Sequence, residues 1–189
     1  MPKKIKFYLN KTYWTWFILI IFVLSTLGMV MNYRTEDSAA KNMDYKGQKF
    51  YLTSNGFMTV LNNKQMFFAY FPADLENIST NFDLNIESDK VYFLYNPIDE
   101  TNFDSNMNKL GKIIYELNIR PVKACSQEEN CPDIPVVDCE EEIQKFFFKE
   151  ANQTSITQDQ NCIVLNAESK MDMDMLIEII NYKILGIMN

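Results

Sequence analysis

The stretch Val91-Tyr-Phe-Leu-Tyr-Asn-Pro97 begins with a continuous apolar run of strand length, which Asn96-Pro97 stops. A short apolar run bounded by turn residues is how a strand buried on both faces reads. The period then changes. Phe103, Met107, Leu110, Ile114 and Leu117 recur every three or four residues, which places them on one face of a helix. Ile119-Arg-Pro-Val-Lys-Ala124 returns as a strand. Strand, helix and strand with short joins make a βαβ unit, so the two strands are predicted parallel with a right-handed crossover.

Upstream, the pattern is that of an antiparallel meander. Gln48–Thr53 starts a strand with Phe50 and Leu52 on one face, and Asn55-Gly56 is a hairpin turn signal because both residues tolerate positive φ. Phe57–Leu61 returns, Asn62-Asn63 turns again, and Met66–Phe71 forms a third strand ending at Pro72. Phe82, Leu84 and Ile86 alternate with Asp83, Asn85 and Glu87, which indicates a half-buried strand. Downstream, strands are expected at Lys145–Lys149 and Cys162–Asn166. A final helix starts near Lys170 and buries Leu176, Ile177, Ile180 and Ile184. Ser169, three residues before Asp172, resembles a capping box, and Asp172 and Asp174 suit the positive end of the helix. The fold class expected is α+β, one domain with a meander and a mixed sheet containing the βαβ unit.

Further upstream lies a different kind of segment. Between Lys11 and Arg34 there are 22 residues without a charge. At about 1.5 Å per residue they extend roughly 33 Å, against a hydrocarbon core of about 30 Å. Tyr13, Trp14 and Trp16 sit at one end and Tyr33 at the other, where amphipathic rings favour the interface. Lys3, Lys4, Lys6 and Lys11 precede the run, and a lysine excess on the N-terminal side keeps that side in the cytoplasm. The organisation expected is a cytoplasmic tail over 1–11, a signal-anchor transmembrane helix over 12–33, a tether over 34–46 and an extracytoplasmic domain over 47–189. A cleaved signal peptide is the weaker reading, because the apolar run is too long and Ser38-Ala39-Ala40 lies well beyond its end.

Charge narrows the partners. From Arg34 onward there are 14 basic and 25 acidic residues, a net of −11. So acidic a domain is repelled by phosphate backbones and by anionic lipid headgroups, which argues against nucleic acid. Histidine is absent, and with it the commonest acid–base group near neutrality and the commonest transition-metal ligand. No Gly-rich phosphate loop and no G-x-S-x-G is present.

The cysteines are four: Cys125, Cys131, Cys139 and Cys162. An even number outside the membrane reads as two disulfides, and three pairings are open. Cys125–Cys131 with Cys139–Cys162 is favoured. The first closes a short polar loop, and the second ties the proline-containing connection to the penultimate strand, at about 3.5 kcal/mol by chain entropy. A four-cysteine zinc site brings its ligands in close pairs, which this spacing lacks. A redox pair reads C-x-x-C, also absent.

Asn118-Ile-Arg-Pro-Val-Lys-Ala-Cys125, Cys131-Pro-Asp-Ile-Pro135 and Cys139 resemble a pattern in uncharacterised single-pass exported proteins of small-genome (DPANN-type) archaea. Tyr45-Lys-Gly47, Asn161-Cys-Ile-Val-Leu165 and Tyr182-Lys-Ile-Leu-Gly-Ile-Met188 are similar too. The resemblance implies export and paired cysteines. It carries no activity.

Other motifs weigh little. Met171, Met173 and Met175 suggest thioether ligands for copper(I), but residues two apart on a helix point about 200° apart, and Met173 falls on the apolar stripe. Glu128-Glu129 and Glu140-Glu141-Glu142 read as solvated loop faces. Asp99–Asn108 lacks the spacing of a calcium loop. Asn77-Ile-Ser79 and Asn152-Gln-Thr154 are glycosylation acceptors. Phe67 and Phe71 share a face of the third strand opposite Met66, Phe68 and Tyr70, and are expected either under the domain's own elements or open as a contact for another protein or the membrane surface. The function expected is a membrane-anchored binding or assembly domain of the cell envelope, without a cofactor. Its partners are the lipid bilayer, through residues 12–33, and an envelope protein. An exported enzyme, either a carboxylate hydrolase or a thiol–disulfide enzyme, is the alternative, because carboxylate pairs assemble in space and leave no local signature.

Overall fold

The computed structural model describes residues 11–34, 42–99 and 101–188. They form two compact units, Met1–Lys41 and Asn42–Asn189, taken separately. The first unit contributes one helix, α1 (Lys11–Arg34). Its side chains are described for residues 14–25, and among the described residues no helix is long and apolar enough to cross a membrane. A span over 12–33 is therefore not a finding of the fold and returns below as a proposal. Residues 1–10 of the expected tail and 35–41 of the expected tether lie outside the described residues.

The second unit is α+β. Its first part is a four-stranded antiparallel meander, β1 (Asn42–Tyr45), β2 (Gln48–Thr53), β3 (Gly56–Leu61) and β4 (Lys64–Phe68), paired in chain order. β1 lies where the tether was expected. Only Met43 and Tyr45 turn inward there, too few for alternation to show in the sequence. Two turns have both central residues at positive φ, Lys46-Gly47 and Asn62-Asn63, as tight hairpins require. At the middle turn the reversal falls on Ser54-Asn55, and Gly56 carries the positive φ of 118°. A Cβ there would collide with the Phe68 carbonyl oxygen of the neighbouring strand. β4 stops at Phe68, short of the expected Phe71. β3 begins at Gly56, and the next two amides, Ala69 and Tyr70, donate to the two carboxylate oxygens of Glu178 at 2.6 and 2.8 Å. The chain then enters the short α2 (Pro72–Leu75), with Phe71 at its N-cap.

The second part is a six-stranded mixed sheet. In chain order it contains β5 (Ser79–Asn81), β6 (Lys90–Tyr95), α3 (Asp104–Glu116), β7 (Arg120–Cys125), β8 (Lys145–Glu150), β9 (Ser155–Asp159), β10 (Cys162–Ala167) and α4 (Lys170–Ile184). The strand order is β5-β9-β10-β8-β6-β7, with β10, β8, β6 and β7 mutually parallel and β9 antiparallel to β10. The βαβ unit read from Val91-Tyr-Phe-Leu-Tyr95 is present, with Val91 opposite Pro121 and Tyr95 opposite Cys125. Phe82–Glu87 is a correction. Phe82 is buried and the residues between alternate in exposure, yet they join no ladder. The period-2 signal reported a half-buried extended segment, held beside β9 by the Asp83 amide donating to Gln158 Oε1.

One face of this sheet and the inner face of the meander share a single core, and α4 serves both. Met173, Leu176, Ile177, Ile179, Ile180 and Tyr182 are all buried, a wider arc than the single stripe expected. Tyr182 stacks on Phe68 at 4.4 Å between ring centroids, and its hydroxyl donates to the Tyr70 carbonyl at 2.7 Å. Ser169 caps α4 by accepting the Asp172 amide. Asn106 of α3, fully buried, donates to the Lys170 carbonyl and to Asp174.

A parallel sheet needs cover on both faces. Here the second face is covered by the excursion 126–144. Val137 and Cys139 pack there on Leu94, Ala124, Cys162 and Val164. Cys125–Cys131 and Cys139–Cys162 are both disulfide-bonded, the pairing favoured from sequence. The same excursion closes the end of edge strand β7, where the Cys125 amide donates to Pro135 and the Val137 amide to Cys125. Lys145, wholly buried, donates its ammonium to the carbonyls of Glu141 and Ile143, and burial lowers its pKa.

Candidate contact surface on the meander

In an antiparallel sheet, residues directly opposite one another project to the same side. Met43, Phe50, Thr59 and Met66 stand in one such row, facing the core. The adjacent row, Asn42, Tyr51, Met58 and Phe67, must face the other way. Tyr51 and Met58 are half-buried, Phe67 is 60% exposed, and Val60, on the same side by alternation, is 45% exposed. Three adjacent strands thus present a contiguous apolar surface to the outside. Leu52, Ile98, Tyr115, Leu117, Val136 and Met171 are also exposed, but they are spread over several elements, and scattered apolar residues are ordinary on folded surfaces.

Phe67 and Phe71 do not share this surface, which corrects the sequence expectation. Phe71 is 6% exposed and packs its ring against Tyr45, Phe50 and Phe57. The alternation that put it with Phe67 holds only while the strand continues, and the strand ends at Phe68. What sequence reasoning missed is the contribution of Tyr51, Met58 and Val60. The signal was available in the hairpin register, since Asn62-Asn63 fixes Met58 opposite Phe67.

A second place with chemical character lies at the carboxyl ends of β6 and β8. There the chain leaves β6 towards β7 on one side and leaves β8 towards β10 on the other. Crevices at such switch points are where open α/β sheets bind ligands. This one holds about 190 Å³ between Tyr95, Asn96, Asn102, Asp104, Lys123 and Phe148, below the usual few hundred for a ligand pocket. Its polar groups are engaged with one another. Asn96 donates to Asp99, Thr101 donates its amide to Glu150, and the Asp104 amide donates to Asn102. Lys123 pairs with Asp104 and lies 4.6 Å over the Tyr95 ring. The Lys123 ammonium holds the Asp104 carboxyl below the usual carboxylate range. An ionised carboxylate at the start of α3, paired with a lysine of β7, fastens the βαβ unit; it is not poised to donate a proton.

The remaining candidates sort plainly. Met173 is in the core, Met175 is partly buried and Met171 is 65% exposed, so the three thioethers do not converge. Glu128, Glu129 and Glu140–Glu142 are exposed in loops. Among the described residues no group of three or more acidic or cysteine side chains could hold a metal ion. Asn77 and Asn152 stand exposed in loops, where a modifying enzyme reaches an acceptor. Compared with protein-family models, curated proteins and solved structures, the chain has no match.

Proposed function

We propose that the chain is a membrane-anchored extracytoplasmic binding or assembly domain of the cell envelope, crossing the bilayer once through residues 12–33 with residues 1–11 in the cytoplasm. The observation that carries the binding role is the open Tyr51–Met58–Phe67 surface on a sheet whose other face is already covered. An apolar surface of this kind on a folded domain marks a contact with something else. The anchoring rests on the uncharged run between Lys11 and Arg34, its aromatic ends and the four lysines before it. Paired cysteines agree with an oxidising compartment. So do the exposed acceptors Asn77 and Asn152 in a host that glycosylates exported chains.

Two measurements test this. After alkaline carbonate extraction the full chain should stay with the membrane pellet. Protease added to intact cells should remove a tag placed after Asn189 and spare one placed before Met1. A soluble chain, or the inverse protection pattern, refutes the anchoring.

A further inference from the structure

We propose that Lys145 is a positioning residue for the Cys139–Cys162 disulfide: its ammonium folds the turn between Cys139 and β8 so that Cys139 is presented to Cys162 before the bond forms. The inference depends neither on the anchoring nor on the meander surface. It starts from a residue type that is almost never fully buried unless paired. Lys145 opens β8 wholly buried, yet none of the ion pairs among the described residues involves it. Its ammonium donates instead to the Glu141 carbonyl at 2.6 Å and to the Ile143 carbonyl at 2.8 Å. Among the described residues no backbone amide reaches either carbonyl. Away from water an ammonium cannot leave such acceptors without a large penalty, so it holds the turn to itself.

The turn it holds is the one that carries Cys139. Residues 140–144 alone separate Cys139 from Lys145. Lys145 is the register partner of Cys162 in the parallel pair β8–β10, so the two side chains leave the sheet on the same face, the one that the excursion covers. The front of the turn is fixed by Asp138, whose Oδ1 accepts the Glu140 and Glu141 amides at 3.0 and 3.4 Å. Its rear is fixed by Lys145. Asn161, the neighbour of Cys162, joins both ends: its amide donates to the Cys139 carbonyl at 3.3 Å, and its carbonyl accepts the Lys145 amide at 2.9 Å. None of these contacts needs the sulfur–sulfur bond. Oxidation by a small disulfide such as oxidised glutathione turns the two thiols into one disulfide, and the two electrons and two protons convert that glutathione disulfide into two glutathione thiols. Its closing step is attack by one cysteine of the pair on the mixed disulfide of the other. Holding the two sulfurs together therefore raises their effective concentration. Because clamp and bond favour the same turn, each strengthens the other by the same factor.

The experiment equilibrates the full chain in detergent with glutathione redox buffers, and alkylation with peptide mapping reads each cysteine pair separately. Lys145→Met keeps the length of the side chain and removes its donors. The effective concentration of the Cys139–Cys162 pair should fall about tenfold or more, a shift of about 30 mV, while that of Cys125–Cys131 stays within about twofold. An unchanged Cys139–Cys162 pair overturns the proposal. So does an equal shift of both pairs, which would mean a general loosening of the excursion. A second measurement needs no change at Lys145. In Cys139→Ala with Cys162→Ala, the Asn161 amide should remain protected from hydrogen exchange, because the clamp alone keeps residue 139 in place. Loss of that protection would show that the disulfide orders the turn and that Lys145 merely follows it.

Discussion

Glu178 is the point at which α4 takes over from the meander's last strand, and its removal is the most informative single perturbation. Its two carboxylate oxygens accept the amides of Ala69 and Tyr70, which have left the β4 ladder. Hydrogen bonds to a charged acceptor contribute about 1.5–3 kcal/mol each, and Ala69 is exposed enough to turn to water instead. Glu178→Ala should therefore cost about 2–4 kcal/mol, roughly 5–15 °C in midpoint for a domain of this size. Glu178→Gln keeps one acceptor and sets an amide donor against the other N–H, so it should fall between. The pH dependence gives an independent check. Burial raises the Glu178 carboxyl above the usual glutamate value, and the Ala69 and Tyr70 amides pull it down by less. A carboxyl raised by folding contributes stability that is complete below its unfolded pKa and lost as pH rises through the folded one. The deficit of Glu178→Gln relative to wild type should therefore widen on acidification from neutral pH through that window. Urea unfolding of the full chain in detergent, followed by near-ultraviolet circular dichroism at several pH values, measures both effects. A cost below about 1 kcal/mol for Glu178→Ala would refute the role assigned to this contact, and a deficit that narrows on acidification would show that the two amides outweigh burial.

Phe71→Ala should lose about 3–5 kcal/mol as a truncated core aromatic, whereas exposed Phe67→Ala should change stability by no more than about 0.5 kcal/mol, both by thermal unfolding. The Cys139–Cys162 ring, with a sequence separation of 23, should contribute about 3.5 kcal/mol, and Cys125–Cys131, with a separation of 6, about 2.4. Replacing each pair by alanine and comparing urea midpoints reads that order. Gly56→Ala should destabilise by at least about 1–3 kcal/mol, because the positive φ and the nearby Phe68 carbonyl both oppose a Cβ. Unchanged stability in that variant would show that the middle turn tolerates a shift.

Legibility followed periodicity. Val91–Tyr95, α3 and α4 were readable because long apolar patterns register burial directly, and the turn at Asn62-Asn63 because Asn tolerates positive φ, whereas Lys46-Gly47 was hidden at the end of the expected tether and the middle turn falls one residue earlier than Asn55-Gly56. β9 was not readable: in Ser155-Ile-Thr-Gln-Asp159 only Ile156 is fully buried, so the strand forms by pairing with β10 rather than by its own pattern. β5, exposed along its whole length, is similar. Phe82–Glu87 failed the other way, since burial alternates there without a partner. The contact surface was half legible. Phe67 stood out by its type, but Tyr51, Met58 and Val60 join it only through cross-strand register, and Phe71 leaves it because Glu178, more than 100 residues downstream, ends the strand.

The way the excursion 126–144 closes the end of β7 has a consequence for maturation. The outer edge of β7 is guarded early on by Pro121, which has no amide to donate, and by Lys123. At Cys125 the guard is the returning loop, the Cys125 amide donating to the Pro135 carbonyl and the Val137 amide to the Cys125 carbonyl. The loop is held against that edge by the bond from Cys125 to Cys131. In a reducing compartment the staple is missing, and the backbone groups at the end of β7 are free to pair with the same strand of another copy. Production in a reducing cytosol should therefore yield aggregates joined edge to edge through β7.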